Sequence, residues 1–288
     1  MSARQTDPET LSGLGPLLDE VKDGLDGDLT LGALARAAGA SPFQLHRRFS
    51  SAVGETPRRH VERVRLERAA YKLSVTDARI VDIALSVGFD SHEAFSRAFR
   101  RWHGRSPTAY RRAAKAAQIA RLERNRHFQG DGCTFTPVWF EARPPTPMLA
   151  IRVWGPYQTL DAAAREPVFS ELLDWAAARG VKPSSARWGL FPDDPTLTPL
   201  ALQAADLCIP VAAPVERDGR VRCLALAGGL YGKIGHVGPG ATAGQAYRQL
   251  ADAVRRSPYA FREDPPVQVF FDGEEEERTE IWFPVRRR

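Results

Sequence analysis

The sequence has few cysteines and no long apolar run. These two absences argue against a disulfide-stabilised protein and against a membrane-spanning protein. The three cysteines, Cys133, Cys208 and Cys223, show neither even pairing nor metal-ligand spacing. We therefore expect reduced thiols, with no disulfide framework and no metal site. Because no run of about 18 apolar residues is present, we predict no membrane span. The first ten residues lack the apolar core of a signal peptide, which favours a cytoplasmic location.

A recognisable set of catalytic residues is also missing. No Ser-His-Asp or Cys-His arrangement stands at a meaningful spacing, and the glycines at 228–229 and 235–244 match no phosphate-binding fingerprint. His236 and Cys223 could meet in the fold, but nothing in their spacing requires it. We therefore predict that the protein is not an enzyme and uses no cofactor.

Positive charge is in excess, and it is concentrated in one part of the chain. The 288 residues carry 40 Lys and Arg against 35 Asp and Glu, and the sequence pI is about 9.3. Residues 30–126 hold 20 of these basic residues against 8 acidic ones, a net +12, whereas residues 128–288 hold 18 against 20. The length suggests two domains, and the charge indicates a polyanionic partner for the first domain only.

The stretch 80–112 predicts a helix-turn-helix motif. Apolar residues recur at helical spacing through 80–87, and Gly88 provides the left-handed residue that ends such a helix. Asp90 or Ser91 can cap the next helix, which has an apolar stripe over 94–102 and a basic opposite face. A helix, a glycine turn and a basic helix form the plan in which the second helix enters the DNA major groove.

Residues 30–54 repeat this plan, with a break at Gly39, a cap at Ser41 and proline at position 42. A single basic helix pair is explained equally well as a solvated surface or as a DNA-binding motif. The repetition of the pattern favours two DNA-binding motifs in tandem. A long helix over 57–73 connects the two motifs. By spacing, six aromatic residues are expected in the core: Phe43, Phe49, Phe89, Phe95, Phe99 and Trp102.

Residue chemistry indicates which side chains would read DNA. Arginine bonds guanine O6 and N7 bidentately, so Arg47 and Arg97, at corresponding positions of the two motifs, are the leading base readers. Glu93 could accept a hydrogen bond from cytosine N4 or merely pair with a nearby arginine. Other arginines, such as Arg58 and Arg101, are expected to contact phosphates. The predicted DNA-binding residues are Gln44, His46, Arg47, Arg48, Ser51, His92, Glu93, Ser96, Arg97, Arg100 and Arg101.

Residues 133–288 have a different pattern, with short apolar runs of strand length around a helix-period segment at 160–179. This half contains an internal repeat. Each copy has a strand ending in Gly-Pro, at 155–156 and 238–239, then a helix, then strands of which the last ends in Pro-Val. The fold class we predict is two domains: an all-α tandem helix-turn-helix domain, then an α+β domain of duplicated β-α-β-β units.

The first half resembles the DNA-binding domain of the AraC/XylS family. Its ending, GFDSHEAFSRAFRRWHGRSPTAYR, follows the pattern G-F-x5-F-x-R-x-F-[RK]-x3-G-x-[ST]-P-x-x-[YF]-R at every fixed position. More loosely, the second half resembles the GyrI-like small-molecule-binding domain, through VWGPY at 153–157, GLFPDDP at 189–195, VGP at 237–239 and EIWFPV at 280–285. This order of domains is similar to that of the Rob-like subgroup.

The resemblance implies a sequence-specific, DNA-binding transcription regulator whose second domain binds a small-molecule effector. The expected partners are double-stranded DNA and that effector. Two alternatives for the second domain stay open: a protein-interaction module that recruits RNA polymerase or dimerises, or a small-molecule hydrolase. The expected boundaries are a disordered segment at 1–15, the AraC-type domain at 16–115, a linker at 116–132 and the GyrI-like domain at 133–288.

The resemblance also implies an aromatic-lined effector site between the two repeats, often with a ligand-facing glutamate on the penultimate strand. Gln268 aligns with that glutamate. Because a glutamine amide has no net charge, we expect a neutral or amphiphilic aromatic ligand rather than a cation. Strand alternation places Gln268 and Phe270 on one face, opposite Val267 and Val269. The predicted effector-binding residues are Trp154, Tyr157, Trp188, Phe191, Gln268, Phe270 and Trp282.

Overall fold

The chain forms two compact units of different architecture. The computed structural model describes residues 13–124, 132–271 and 278–288. These residues fall within Met1–Gln118 and Ile119–Arg288, the first helical and the second built on a sheet, so the predicted fold class is confirmed. The segment expected to be disordered lies mostly outside the described residues, as do residues 125–131 of the expected linker.

Helix-capping residues set the boundaries of the first unit's helices. The helices are α1 (Gly15–Asp23), α2 (Leu31–Ala37), α3 (Pro42–Val53), α4 (Pro57–Val75), α5 (Ile80–Ser86), α6 (His92–His103) and α7 (Pro107–Arg124). The side chains of Thr30, Ser41, Thr56 and Ser91 each accept a hydrogen bond from a backbone N–H in the first turn of α2, α3, α4 and α6. Both helix-turn-helix motifs, α2–α3 and α5–α6, therefore begin their second helix as predicted.

The turn of the second motif is packed tightly against the rest of the unit. Gly88 has a φ of 80°, in the left-handed region that favours glycine. A Cβ atom at this position would lie 2.2 Å from the carbonyl oxygen of Leu25. Arg65 of α4 donates from Nε to the same oxygen, at 3.0 Å. The second motif, the long helix α4 and the segment after α1 therefore meet at one point.

A buried ionic network attaches the end of α3 to α4. Glu55 Oε1 lies 2.9 Å from His60 Nδ1 and accepts from Arg63 Nε at 2.9 Å, while Arg63 Nη1 donates to both carboxylate oxygens of Glu67. Burial lowers the pKa of His60. Burial also opposes ionisation of Glu55, but the hydrogen bond from His60 and the charge of Arg63 hold the Glu55 pKa below its usual range. The network fixes the first recognition helix on the helix that connects the two motifs.

Two of the six aromatic residues expected in the core lie at the surface instead. Phe43 is 76% exposed and Trp102 is 36% exposed. Phe43 stands two residues before the buried Leu45, which places it about 200° around the helix, on the outward side. The Trp102 ring is covered in part by the Arg59 guanidinium, at 5.9 Å. Phe49, Phe95 and Phe99 are fully buried as predicted, and Phe89 is half-buried.

A ten-stranded antiparallel sheet forms the second unit, with helices α8 (Ala162–Ala178) and α9 (Ala243–Arg256). The strands are β1 (Thr134–Phe135), β2 (Trp139–Arg143), β3 (Thr146–Trp154), β4 (Arg187–Leu190), β5 (Ala204–Pro210), β6 (Val221–Leu226), β7 (Gly229–Val237), β8 (Tyr259–Phe261), β9 (Val267–Phe271) and β10 (Arg278–Arg287). Their order is β1-β7-β10-β9-β4-β5-β3-β6, with β2 paired to β7 and β8 to β10.

The centre of this sheet shows the predicted duplication. The series β7-β10-β9 on one side corresponds to β3-β5-β4 on the other. Both β3 and β7 lead into glycines of nearly the same conformation, Gly155 with φ 133° and Gly238 with φ 137°, each followed by proline and a short 3-10 helix. The two copies meet where β4 pairs with β9, at the register pair Gly189 and Gln268.

Strand register separates the two faces of the sheet. Phe270 packs with Phe169 of α8, and Ile281 packs with Leu250 of α9, so both helices cover the same face. Val267 and Val269 belong to a different cluster, on the opposite face. The alternation predicted for β9 is therefore confirmed, and Gln268 lies on the face that carries the helices.

Candidate functional site

The two recognition helices, α3 and α6, bury one side and expose the other. Leu45 and Phe49 of α3, and Phe95 and Phe99 of α6, are buried. The predicted DNA-binding residues that are exposed are Gln44, His46, Arg47, Arg48, Ser51, His92, Glu93, Arg97, Arg100 and Arg101. Ser96 is half-buried, with its hydroxyl 3.4 Å from His92 Nε2. The structure thus brings the predicted residues onto one exposed side of each helix.

Arg47 and Arg97 occupy the middle of these exposed sides. Arg47 stands two residues from both Leu45 and Phe49, and Arg97 stands two residues from both Phe95 and Phe99. At about 100° per residue, each arginine points away from the buried pair that flanks it. Within the described part of the chain, neither guanidinium makes a hydrogen bond or an ion pair. Both can therefore donate to an external acceptor.

Two other predicted DNA-binding residues already have partners. Gln44 Oε1 accepts from the backbone N–H of Ser41, at 3.1 Å, as part of a capping box. Arg101 Nη2 donates to Glu62 Oε1 of α4, at 2.5 Å. Because an exposed ion pair contributes little free energy, a phosphate could still displace Glu62. Arg101 is nevertheless less suited to DNA contact than Arg47 or Arg97.

On the helix-covered face, four predicted effector residues gather around Gly189. A Cβ atom on Gly189 would lie 2.9 Å from a ring carbon of Phe191 and 3.2 Å from one of Phe270. Gln268 is the register partner of Gly189. The Tyr157 ring contacts the Phe191 ring edge-on, with centroids 5.0 Å apart. We refer to Tyr157, Phe191, Gln268 and Phe270 as the helix-face cluster.

The remaining three predicted effector residues do not join this cluster. Trp188 and Trp282 are each 4% exposed and pack together on the opposite face, with ring centroids 5.3 Å apart. Trp188 is the register partner of Val269, which lies next to Gln268 in the chain. Because side chains alternate along a strand, Trp188 and Gln268 lie on different faces of the sheet. Trp154 is half-buried, and the pairing of β3 with β5 places it on the same face of the sheet as Trp188. A single site lined by all seven residues is therefore not formed.

Asp193 and the Tyr157 hydroxyl form a polar edge beside the cluster. The hydroxyl donates to the carbonyl oxygen of Ala204, at 3.0 Å, and accepts from the backbone N–H of Asp193, at 3.2 Å. The Asp193 carboxylate accepts from the Ala204 N–H, at 2.7 Å. Burial, and then the negative charge of Asp193, raise the pKa of Tyr157, so this phenol stays protonated.

Family models match both halves of the chain. A helix-turn-helix domain matches residues 34–113, and the GyrI-like small molecule binding domain matches residues 136–286, more than half of the chain. The regulatory protein SoxS of Salmonella typhimurium is 34% identical over 95 residues, which is 33% of this chain and 89% of SoxS. This chain is an AraC-family protein with a GyrI-like domain. The resemblance predicted from the sequence is confirmed.

Longer relatives share only part of their length with this AraC-family chain. The HTH-type transcriptional regulator MtrA of Neisseria gonorrhoeae is 38% identical over 99 residues, and the transcriptional regulator Rob of Salmonella typhimurium is 36% identical over 91 residues. These matches cover 34% and 32% of this chain. The chain spans about a third of the length of these two relatives, 33% of MtrA and 32% of Rob.

Among solved structures, the EcmrR chain of an EcmrR–DNA complex in EcmrR-RPo is similar to this chain. The match covers 90% of this chain and 99% of the EcmrR chain, at 16% sequence identity and a TM-score of 0.45.

Across the described residues, no helix is long and apolar enough to cross a membrane. The same residues hold no group of three or more His, Cys, Asp or Glu suited to a metal ion.

Three residues of the AraC-type and GyrI-like domains were missed by the sequence prediction. Phe43 lies on the outward side of α3, four residues before Arg47. Tyr247 of α9 and Phe283 of β10 pack edge-on, with centroids 5.8 Å apart. Burial raises the pKa of Tyr247. The internal repeat was the available signal for Tyr247, since it predicts α9 as the counterpart of α8 on the same face of the sheet.

Proposed function

We propose that this AraC-family protein reads double-stranded DNA through α3 and α6 and regulates transcription. The proposal rests on Arg47 and Arg97, which lie at the middle of the outward sides of the two recognition helices and have no hydrogen-bond or ion-pair partner among the described residues. Each can bond guanine bidentately in the major groove. RNA polymerase is the further partner that such a regulator requires, and the bacterial cytoplasm is where it would meet DNA. The proposal includes no enzymatic activity.

Phe43 extends the proposed reading surface of α3. An exposed aromatic ring gains free energy when a partner covers its apolar surface. In the major groove, the methyl group of thymine is the apolar partner that a phenylalanine contacts. We therefore propose that Phe43 and Arg47 read neighbouring bases, with thymine and guanine as the favoured contacts.

We expect one protein molecule to protect two DNA segments about one helical turn apart. Helix α4 has 19 residues, and at 1.5 Å per residue it spans about 28 Å. That length suits motifs that enter successive major-groove segments, about 34 Å apart. Hydroxyl-radical footprinting of the 1:1 complex should show both segments on one face of the duplex.

Variants assign each footprint to a helix. Arg97→Ala should weaken protection of one segment and leave the other, whereas Arg79→Ala should change neither. Arg79 is a suitable control because it is exposed and pairs with Asp82, outside the recognition helices. A single protected segment that Arg97→Ala leaves unchanged would contradict reading by α6.

We also propose that the helix-face cluster binds the effector. Tyr157 and Phe191 are half-buried and provide aromatic surface, whereas Phe270 is only 5% exposed. Gln268 provides an amide that both donates and accepts hydrogen bonds. Aromatic walls with few polar anchors are the common form of small-molecule sites. The Asp193 carboxylate is engaged by a backbone N–H. A neutral or amphiphilic aromatic compound is therefore the ligand class that this cluster favours.

We expect Gln268→Glu to change the charge preference of the site. Calorimetry would compare a neutral aromatic compound and a cationic dye of similar shape. The neutral compound should bind the unmodified protein at least as well as the dye, and Gln268→Glu should shift preference towards the dye. Gln249→Glu, on α9, adds the same charge outside the cluster and should cause no shift.

Other outcomes separate the alternatives. A strong preference of the unmodified protein for the dye would contradict the ligand class and indicate that Asp193 serves the site. Binding of neither compound, together with retention of a protein partner, would favour an interaction module. Turnover of an ester would favour a hydrolase.

A further inference from the structure

Glu93 is the one acidic side chain on the two recognition helices, both of which the structure describes in full. It is exposed, two residues before the buried Phe95. Arg97 and Arg100 follow four and seven residues later, so all three side chains share the outward side of α6. A carboxylate therefore lies in the middle of the surface proposed to face DNA.

We propose that Glu93 is a specificity-determining residue that accepts a hydrogen bond from cytosine N4 in the major groove. This inference rests on the proposed DNA-reading function. A carboxylate close to phosphates is repelled by every DNA sequence, so its presence lowers affinity unless a base compensates. Cytosine presents only its N4 amino donor in the major groove, whereas guanine and thymine present acceptors and adenine has an N7 acceptor beside its amino group, which repels a carboxylate. Glu93 thus disfavours most sequences and favours those with cytosine at one position.

An ion pair with a neighbouring arginine does not explain why Glu93 stands on this surface. Its spacing to Arg97 is the four residues that permit an ion pair on a helix. Within the described residues, however, Glu93 forms no ion pair with Arg97 or Arg100. A first-turn carboxylate also stabilises the helix N-terminus, but that effect is the same for every DNA sequence. A change of base preference therefore separates reading from helix stabilisation.

The equivalent position of the first motif supports a reading role. Aligning the caps Ser41 and Ser91 places Phe43 opposite Glu93, and both side chains are exposed. Phe43 offers an apolar surface, whereas Glu93 offers only hydrogen-bond acceptors. The two recognition helices therefore present different chemistry at the same place, and the two halves of the DNA site should differ in sequence.

The test is selection from a random duplex library with the full chain, Glu93→Gln and Glu62→Gln. Sites selected by the unmodified protein should contain cytosine at one position in the segment that Arg97 protects. Glu93→Gln should lose that cytosine or replace it by adenine, which glutamine bonds bidentately. Its preference for the selected site over random DNA should fall by about tenfold.

Glu62→Gln is the matched control, because it removes the same charge from α4, where Glu62 pairs with Arg101. It should retain the cytosine preference and change affinity alike for all sequences. The inference is overturned if Glu93→Gln keeps the cytosine preference, or if it raises affinity equally for selected and random DNA. If the unmodified protein selects no sequence at all, the proposed DNA-reading function itself fails.

Discussion

Gly88→Ala is expected to unfold the second helix-turn-helix motif and to abolish DNA binding. The added Cβ would lie 2.2 Å from the Leu25 carbonyl oxygen and 2.6 Å from Arg65 Nη2. Backbone cannot yield as a flexible side chain can, and alanine is also strained at the φ of 80°. The clash and the backbone strain together should cost about 3–5 kcal/mol of unfolding free energy.

Gly104→Ala isolates the contribution of the backbone conformation. Gly104 has a φ of 71°, and nothing lies within 4 Å of a Cβ placed there. This substitution should cost only the left-handed strain, about 1–2 kcal/mol. Urea unfolding of the full chain, followed by the helical circular dichroism signal, would compare the two variants. Equal shifts of the unfolding transition would show that Gly88 is required for its conformation and not for its close packing.

Arg47→Ala should reduce affinity for the preferred DNA site by roughly 1–3 kcal/mol, or about 5- to 150-fold. The reason is that a bidentate contact to guanine is lost, while the helix keeps its buried side. Arg47 is exposed and makes no hydrogen bond or ion pair within the described chain, so its loss should leave the fold intact. The loss should be confined to sites with guanine at the contacted position, because random DNA offers that contact only by chance.

Local features of the fold could be predicted from the sequence because they depend on short-range chemistry. Ser41 and Ser91 cap their helices, and Gly39 and Gly88 take left-handed conformations, as their residue types indicated. The repeat of Gly-Pro followed by a helix likewise predicted the duplicated second domain. Each of these features is determined within a few residues of the chain.

Features that depend on distant partners could not be predicted. Trp188 and Trp282 are apolar enough for a ligand site, but only the pairing of β4 with β9 and β10 with β9 decides which face they occupy. Arg101 meets Glu62, 39 residues away in sequence, and no spacing rule indicates such a pair. Phe43 was misplaced for a different reason: it was predicted to point inward together with Leu45 and Phe49, but two residues of helix turn it about 200° away from Leu45.

The most direct test of the DNA-reading surface is a competition titration of Arg47→Ala and Arg58→Ala against the selected site and random DNA. Arg58 is exposed and predicted to contact phosphate. Arg58→Ala should weaken binding to both DNAs alike, and it should reduce the slope of log K against log salt concentration by about one unit. Arg47→Ala should weaken binding to the selected site and leave binding to random DNA nearly unchanged. Equal losses on both DNAs for Arg47→Ala would contradict base reading by α3.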